Sequence, residues 1–294
     1  MIHLLNELGY FFAALRFFTR LPVPRWVGHT PEQLAHAARY FPLIGILVGA
    51  IGAAVTEGAA LALPISLAIL LGMAATLLVT GAFHEDGFAD AVDGFGGGRE
   101  RAQVLAIMKD SRLGSYGAMG IGFLLLAKYT ALTEIDNAAD PPVLDFALLA
   151  GHAVSRLAST TLMYGLDYAR ADQPGLPTPQ PAPAGEGSAP LQGFGASTDP
   201  APEPPGGEAY AKSKPLARRL SAGELLVAGI FGLAPCVLLP DEQLAIALSL
   251  VALVTLGAGL YFKRRLGGYT GDCLGAVQQL TELVFYLGLL CEFD

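Results

Sequence analysis

ISLAILLGMAATLLVTGAF, residues 65–83, runs directly into HEDGFADAVDGFGGG, residues 84–98, so an uncharged apolar stretch is followed at once by four carboxylates. An apolar stretch of that length approaches what is needed to cross about 30 Å of hydrocarbon. If the helix continues past Phe83, then Asp86, Asp90 and Asp93 stand at i, i+4 and i+7 and point from one face, with Glu85 about a quarter-turn away. Three like charges on one stripe repel unless something positive lies among them. Hard oxygen donors favour Mg²⁺, or Mn²⁺ in its place, because Mg²⁺ takes few protein carboxylates and fills its octahedron with water and phosphate oxygens. The plainer alternative is a solvated acidic helix face.

The surrounding chain decides between these. Of 294 residues, 53% are hydrophobic and only 15% charged, and the mean hydropathy is +0.48, which excludes an ordinary soluble domain. Besides Ile65 to Phe83, apolar runs extend from Tyr40 to Leu63, Met119 to Ile135, Val143 to Leu166, Glu224 to Leu239, Gln243 to Phe262 and Leu274 to Leu290. The expectation is one all-α integral membrane domain, residues 1–294, with about seven transmembrane spans in a helical bundle. Leu4 to Phe18 is apolar and aromatic but lacks the basic start and small-residue cleavage site of a signal peptide, so it reads as an interfacial helix. Residues 171–215 are rich in Pro, Gly, Ala and Ser and read as a disordered loop inside the domain. Cys236, Cys273 and Cys291 have no metal-ligand spacing and an odd count, and read as apolar fillers.

Charge placement orients the bundle. Connections near Leu61 to Pro64, Ile135 to Pro142 and Pro240 to Gln243, and the tail from Cys291, carry no Lys or Arg. The alternate connections hold Arg16, Arg20, Arg25 and Arg39, then Arg99, Arg101, Lys109 and Arg112, then Arg170, Lys212, Lys214, Arg218 and Arg219, then Lys263, Arg264 and Arg265. By the positive-inside rule the N-terminus and the carboxylate segment face the cytoplasm. The net charge of −8 is too unevenly spread to name a partner, and nothing in it suggests nucleic acid.

Past the glycines that close the acidic stripe (Gly94, Gly96, Gly97, Gly98), which read as a helix break, Lys109, Asp110, Ser111 and Arg112 place an ammonium, a hydroxyl and a guanidinium within four positions. Gly114 and Gly117 follow and permit close backbone approach. That combination favours phosphate recognition over an ordinary basic loop. A second polar set, Asp272, Gln279 and Glu282, recurs at i, i+7 and i+10 on one helical face. Polar groups inside spans are costly and generally face a site or the bundle interior, a logic that also covers Arg156 and Lys128. The whole describes a cytoplasm-facing, Mg²⁺-dependent phosphotransfer site, with a carboxylate or His84 to accept the proton of an attacking hydroxyl.

At this point the chain resembles a known family. His84-x-Asp86-Gly87-x-x-Asp90-x-x-Asp93-Gly94, Ile107 to Gly114, and Gly268-Tyr269-Thr270-Gly271-Asp272 through Gln278-Gln279-Leu280-Thr281-Glu282 are similar to the cobalamin synthase (adenosylcobinamide-GDP ribazoletransferase) family. So are Thr19-Arg20-Leu21-Pro22 and Phe41-Pro42-Leu43-Ile44-Gly45. The resemblance implies an enzyme of the inner membrane that transfers the adenosylcobinamide phosphate from adenosylcobinamide-GDP to a ribose hydroxyl of α-ribazole or its 5′-phosphate, releasing GMP. It carries over Asp86, Asp90 and Asp93 as metal ligands and catalytic groups, beside His84, and Lys109, Ser111 and Arg112 as phosphate contacts. Asp110, Arg156, Asp272, Gln279 and Glu282 join these on the substrate side, while Glu85, a further carboxylate at the metal, stands where the family often has an apolar residue. The lipid bilayer is a partner, and a homo-oligomer or association with other cobalamin-assembly enzymes is compatible with that setting.

Two rivals have different chemistry. A CDP-alcohol phosphotransferase making phospholipid also carries spaced aspartates, but its Asp-Gly-x-x-Ala-Arg run is absent, since Asp90 follows Ala89. A transporter would line a mid-membrane path with Arg156, Lys128 and Glu282.

Overall fold

The computed structural model describes residues 2–28, 30–138, 143–169 and 218–291, so the Pro/Gly-rich stretch 171–215 and the disorder expected of it lie outside the described residues. Eleven helices are defined among those residues, joined by two short 3₁₀ segments, and the sole strand-like feature is an isolated bridge between Tyr168 and Tyr269.

The N-terminal helix α1 (Ile2–Phe18) ends where the Thr19 hydroxyl donates back to the Leu15 carbonyl, 2.7 Å, and the Arg20 N–H donates to the Val79 carbonyl, 2.7 Å, tying it to a segment much further along the chain. Helix α2 (Pro31–Ala37), with Thr30 capping the Gln33 N–H, leads through a 3₁₀ turn into α3 (Phe41–Ala60). After Pro64 come α4 (Ile65–Thr80) and α5 (Phe83–Gly97), which meet at 87°. Gly81 at φ +69° and Ala82 at φ +56° make that corner. The left-handed conformation costs an alanine about 1–2 kcal/mol, so surrounding contacts hold it. The expected continuation of the second span into the acidic stripe is therefore broken: α5 turns sharply away from α4. The expected break at the glycines comes later, because α5 continues through Gly94 and Gly96 to Gly97.

Those glycines serve packing. A Cβ at Gly94 would lie 2.6 Å from Met108 Cγ, and one at Gly96 would lie 2.8 Å from the Tyr116 ring, so α5 is pressed against α6 (Arg101–Met108) and α7 (Ser115–Ala138). Helix α8 (Leu144–Gly165) crosses α3 along a seam where Gly45 and Gly49 lie on the backbone of His152, Leu148 and Leu149. The last segment comprises α9 (Ala222–Leu233), opened by a Ser221–Glu224 capping box, then α10 (Asp241–Leu266) and α11 (Gly271–Leu289). Helix α10 carries Asp241 and Glu242 in its first turn and Lys263, Arg264 and Arg265 in its last, which matches its dipole at both ends.

Helix α11 packs against α5, α7, α8 and α10, so it forms the centre. Outward-facing Leu253, Leu256, Phe123, Leu126 and Leu78 stay exposed, a distribution suited to lipid and not to water. Three helices are long and apolar enough to cross a membrane (32–60, 115–137 and 241–266), or four if the bent α4–α5 pair is one span. Seven spans of that kind were expected. The difference arises because α8 and α11 carry polar side chains through their middles, α4 is short and bent at its end, and α9 spans only Ala222–Leu233 before Pro235 turns it into a 3₁₀ segment.

Candidate active site

Helix α5 crosses α11 almost at backbone contact. A Cβ on Gly87 would sit 3.2 Å from the Asp272 Cα, and one on Gly275 would sit 3.1 Å from the His84 carbonyl oxygen. This approach sets Asp86 and Asp90 of α5 beside Asp272 in the first turn of α11. Burial and then the charges of Asp86, Asp272 and Asp93 push the Asp90 carboxyl up to about 7. Burial and the charge of Asp86 raise Asp272 to about 6. The group is thus a mutually repelling patch of Asp86, Asp90 and Asp272, with Asp86 exposed and the other two half-buried.

Asp93, the third residue of the predicted stripe, is otherwise engaged. It is 7% exposed, and its two oxygens accept the N–H groups of Gly114 (2.7 Å) and Gly117 (2.8 Å) at the start of α7. Its carboxylate caps a helix that has no capping side chain of its own, and its negative charge suits that helix end. Gly117 also lies against the Ala89 carbonyl, so Gly114 and Gly117 are the positions where any side chain would collide with α5. Through Asp93 the loop carrying Lys109, Ser111 and Arg112 is tied one helical turn from Asp90.

All three of those loop residues are exposed. Arg112 grips Asp110 with Nη2 to Oδ2 at 2.6 Å and Nε to Oδ1 at 3.0 Å, and this pairing holds the Asp110 carboxyl down at about 2. Asp110 thus orients Arg112. His84 is 5% exposed, its ring stacked on Phe18 with centroids 5.1 Å apart, about 200° around α5 from Asp86.

Arg156, Gln279 and Glu282 are inside the bundle, 2%, 1% and 2% exposed. Glu282 Oε1 pairs with Lys128 Nζ of α7 at 2.7 Å, and its Oε2 faces His152 Nδ1 of α8 at 3.2 Å and accepts from Gln278 Nε2 at 2.6 Å. Arg156 donates to the His152 carbonyl at 2.9 Å. Glu85 belongs to this network as well: its Oε1 accepts from Gln279 Nε2 at 2.7 Å. A cavity of about 20 Å³, room for one water, is lined by Glu85, Lys128, His152 and Glu282 among others. Sequence reasoning divided these residues between metal and substrate, whereas the structure closes them into a buried ion-paired unit. Lys128, already read from the sequence as a cation that must face the bundle interior, is one partner, and His152, to which no motif assigned a role, is the other.

Arg265 is a further residue the motifs did not single out. Its guanidinium donates to the Gly98 carbonyl at 2.8 Å and lies 5.8 Å from the centre of the Phe95 ring, so it closes the C-terminal end of α5. Among the described residues no three His, Cys, Asp or Glu side chains form a ready-made cage for a metal ion.

The sequence profile of the CobS family, cobalamin-5-phosphate synthase, matches residues 10–181 and 196–290. The chain belongs to this family. The unmatched interval, 182–195, falls inside the Pro/Gly-rich stretch 171–215. Among its relatives, proteins named adenosylcobinamide-GDP ribazoletransferase from Shewanella frigidimarina, Leptothrix cholodnii and Shewanella woodyi are each 40% identical to it. The alignments cover 97%, 99% and 98% of this chain and 95%, 98% and 98% of those proteins. No solved structure gives a significant match. Family membership thus extends over the helical frame and the α5, α6–α7 and α11 segments together, and neither rival chemistry finds support among these relatives.

Proposed function

We propose that this chain is a membrane-embedded adenosylcobinamide-GDP ribazoletransferase, moving the adenosylcobinamide phosphate onto a ribose hydroxyl of α-ribazole or its 5′-phosphate, with GMP as leaving group. The observation that carries the site assignment is the near-contact of α5 and α11 at Gly87 and Asp272, which sets the carboxylates of Asp86, Asp90 and Asp272 at one junction. Their mutual repulsion and hard oxygen donors fit Mg²⁺, and the open side leaves room for the water and phosphate oxygens that Mg²⁺ prefers. When bound there, the ion would draw charge from the diphosphate of the nucleotide substrate.

The chain's own groups do the rest. Lys109 and Arg112 attract and orient the phosphates, Ser111 offers a hydroxyl to a phosphate oxygen, and Asp110 holds the Arg112 fork in place. Asp93 fixes the start of α7 and so the distance of this basic loop from the acidic patch. Asp90, least solvated of the facing pair on α5, is the nearest group for taking up the proton of the attacking hydroxyl. The excess of Lys and Arg on alternate connections supports a cytoplasmic position for this surface.

The test is GMP release by the detergent-solubilised full chain given adenosylcobinamide-GDP, α-ribazole and Mg²⁺. Release is expected to need both substrates and the metal and to collapse in Asp90→Asn. Release independent of α-ribazole would make the protein a hydrolase and overturn the reading.

A further inference from the structure

The acidic patch is assembled from two helices, and α5 enters it from a strained corner with no capping side chain of its own. Close glycine packing lets α5 approach α11, but flat glycine contacts do not fix how far one helix slides along the other. A polar key does. Gln279 lies two helical turns beyond Asp272 on α11, and its amide is fully used. Nε2 donates to Glu85 Oε1 at 2.7 Å and to Gln278 Oε1 at 2.8 Å, while Oε1 accepts from Lys128 Nζ at 2.8 Å. The lysine fixes which end of the amide is oxygen, so the N–H that meets Glu85 is determined. Lys128 is in turn held by Glu282 at 2.7 Å.

We infer that Gln279, steered by Lys128 and engaging Glu85, is a positioning residue that sets the register of α5 on α11 and thereby brings Asp86 and Asp90 to Asp272. Glu85 is the neighbour of Asp86, so a slide of α5 by one turn, about 5.4 Å, would break the Glu85–Gln279 bond and separate the carboxylates together. Glu85 therefore acts through the helix and not as a ligand to the ion, which departs from its reading as a metal carboxylate. Its second oxygen, buried and without a hydrogen-bond partner, faces into the bundle near the small cavity. Burial makes the key stiff, because a lost partner inside the bundle is not replaced by water.

The inference rests on the acidic patch being the metal site. It is tested on the full chain in detergent with Mn²⁺ as the probe, reading free ion by electron paramagnetic resonance and folding by thermal melting. Gln279→Met keeps the volume and removes the amide. It is expected to weaken Mn²⁺ binding at least 10-fold in protein that still unfolds cooperatively, at a lower melting temperature because the amide's buried partners are stranded, whereas Thr281→Val, a buried control whose hydroxyl bonds only within its own helix, is expected to bind like the parent. Glu85→Gln keeps the acceptor for Gln279 and loses the charge, and is expected to bind Mn²⁺ within about 3-fold of the parent, whereas Glu85→Leu weakens it like Gln279→Met. Parent-like binding by Gln279→Met overturns the inference, as does equal weakening by Thr281→Val or by Glu85→Gln. If the parent itself shows no Mn²⁺ binding that Asp90→Asn abolishes, the metal reading of the patch falls and the positioning role falls with it.

Discussion

Ten residues of one helix separate two opposite treatments of charge. At Asp272, the start of α11, carboxylates face carboxylates, half-open to solvent. At Glu282, about 15 Å further along, each buried carboxylate meets a cation or a fully used amide. The first arrangement is unfavourable as it stands and becomes favourable only when something positive arrives. The second is compensated in charge by groups of the chain itself, with Glu85 Oε2 and Arg156 Nε left without a hydrogen-bond partner. Charge that folding leaves uncompensated points to chemistry, and charge that folding compensates points to architecture.

The contrast is broken most severely at Lys128. Lys128→Met strands Glu282 in the bundle and is expected to cost about 3–5 kcal/mol, seen as loss of folded protein in detergent. Adding Glu282→Gln to that variant should recover a large part of the loss. At the acidic end the signs reverse. Asp90→Asn removes one of the repelling charges, so the metal-free protein should melt about 2–4 °C higher, the equivalent of about 1 kcal/mol. Its turnover should fall by at least about 100-fold, measured as GMP release. A variant that lost both stability and activity would place Asp90 with the architecture.

Asp93 sits between the two classes and sharpens the division. Because its carboxylate caps α7 through Gly114 and Gly117, Asp93→Ala is expected to lose about 1–2 kcal/mol whether or not Mg²⁺ is present, read by thermal melting with and without the ion. The smallest stability effect is at Arg112, whose side chain is 87% exposed. Arg112→Ala should leave melting unchanged and raise the KM for the nucleotide substrate, with Asp110→Asn doing the same more weakly.

The stripe of Asp86, Asp90 and Asp93 was legible because a helix repeats every 3.6 residues, and Asp86 and Asp90 do share a face. What a one-helix argument could not supply was the neighbour. Both Asp93 oxygens accept N–H groups at the N-terminus of α7, and Asp272 of α11 lies beside Asp86 and Asp90. The corner at Gly81 and Ala82 was illegible for a related reason: alanine has no preference for left-handed backbone, so only the packing around it selects that conformation. Polar residues in α8 and α11 were rightly read as facing inward, but their partners lie on other helices, which a single-helix hydropathy reading does not reveal. The glycines at 94–98 read as punctuation because glycine weakens helices in isolation. In place they admit α6 and α7 to the surface of α5.

The seam between α3 and α8 bears on how the protein is made. Gly45 and Gly49 accept the backbone of His152 and Leu148 so closely that no side chain fits between, and this contact joins segments about a hundred residues apart in the chain. At synthesis rates of roughly 5–20 residues per second, α3 waits about 5–20 s in the bilayer before its mate emerges. During that interval its glycine groove is lined only by acyl chains, which gain little from a surface without side chains. The groove is thus a reserved berth that lipid fills poorly and α8 fills well, and ordered insertion follows from the absence of two Cβ atoms.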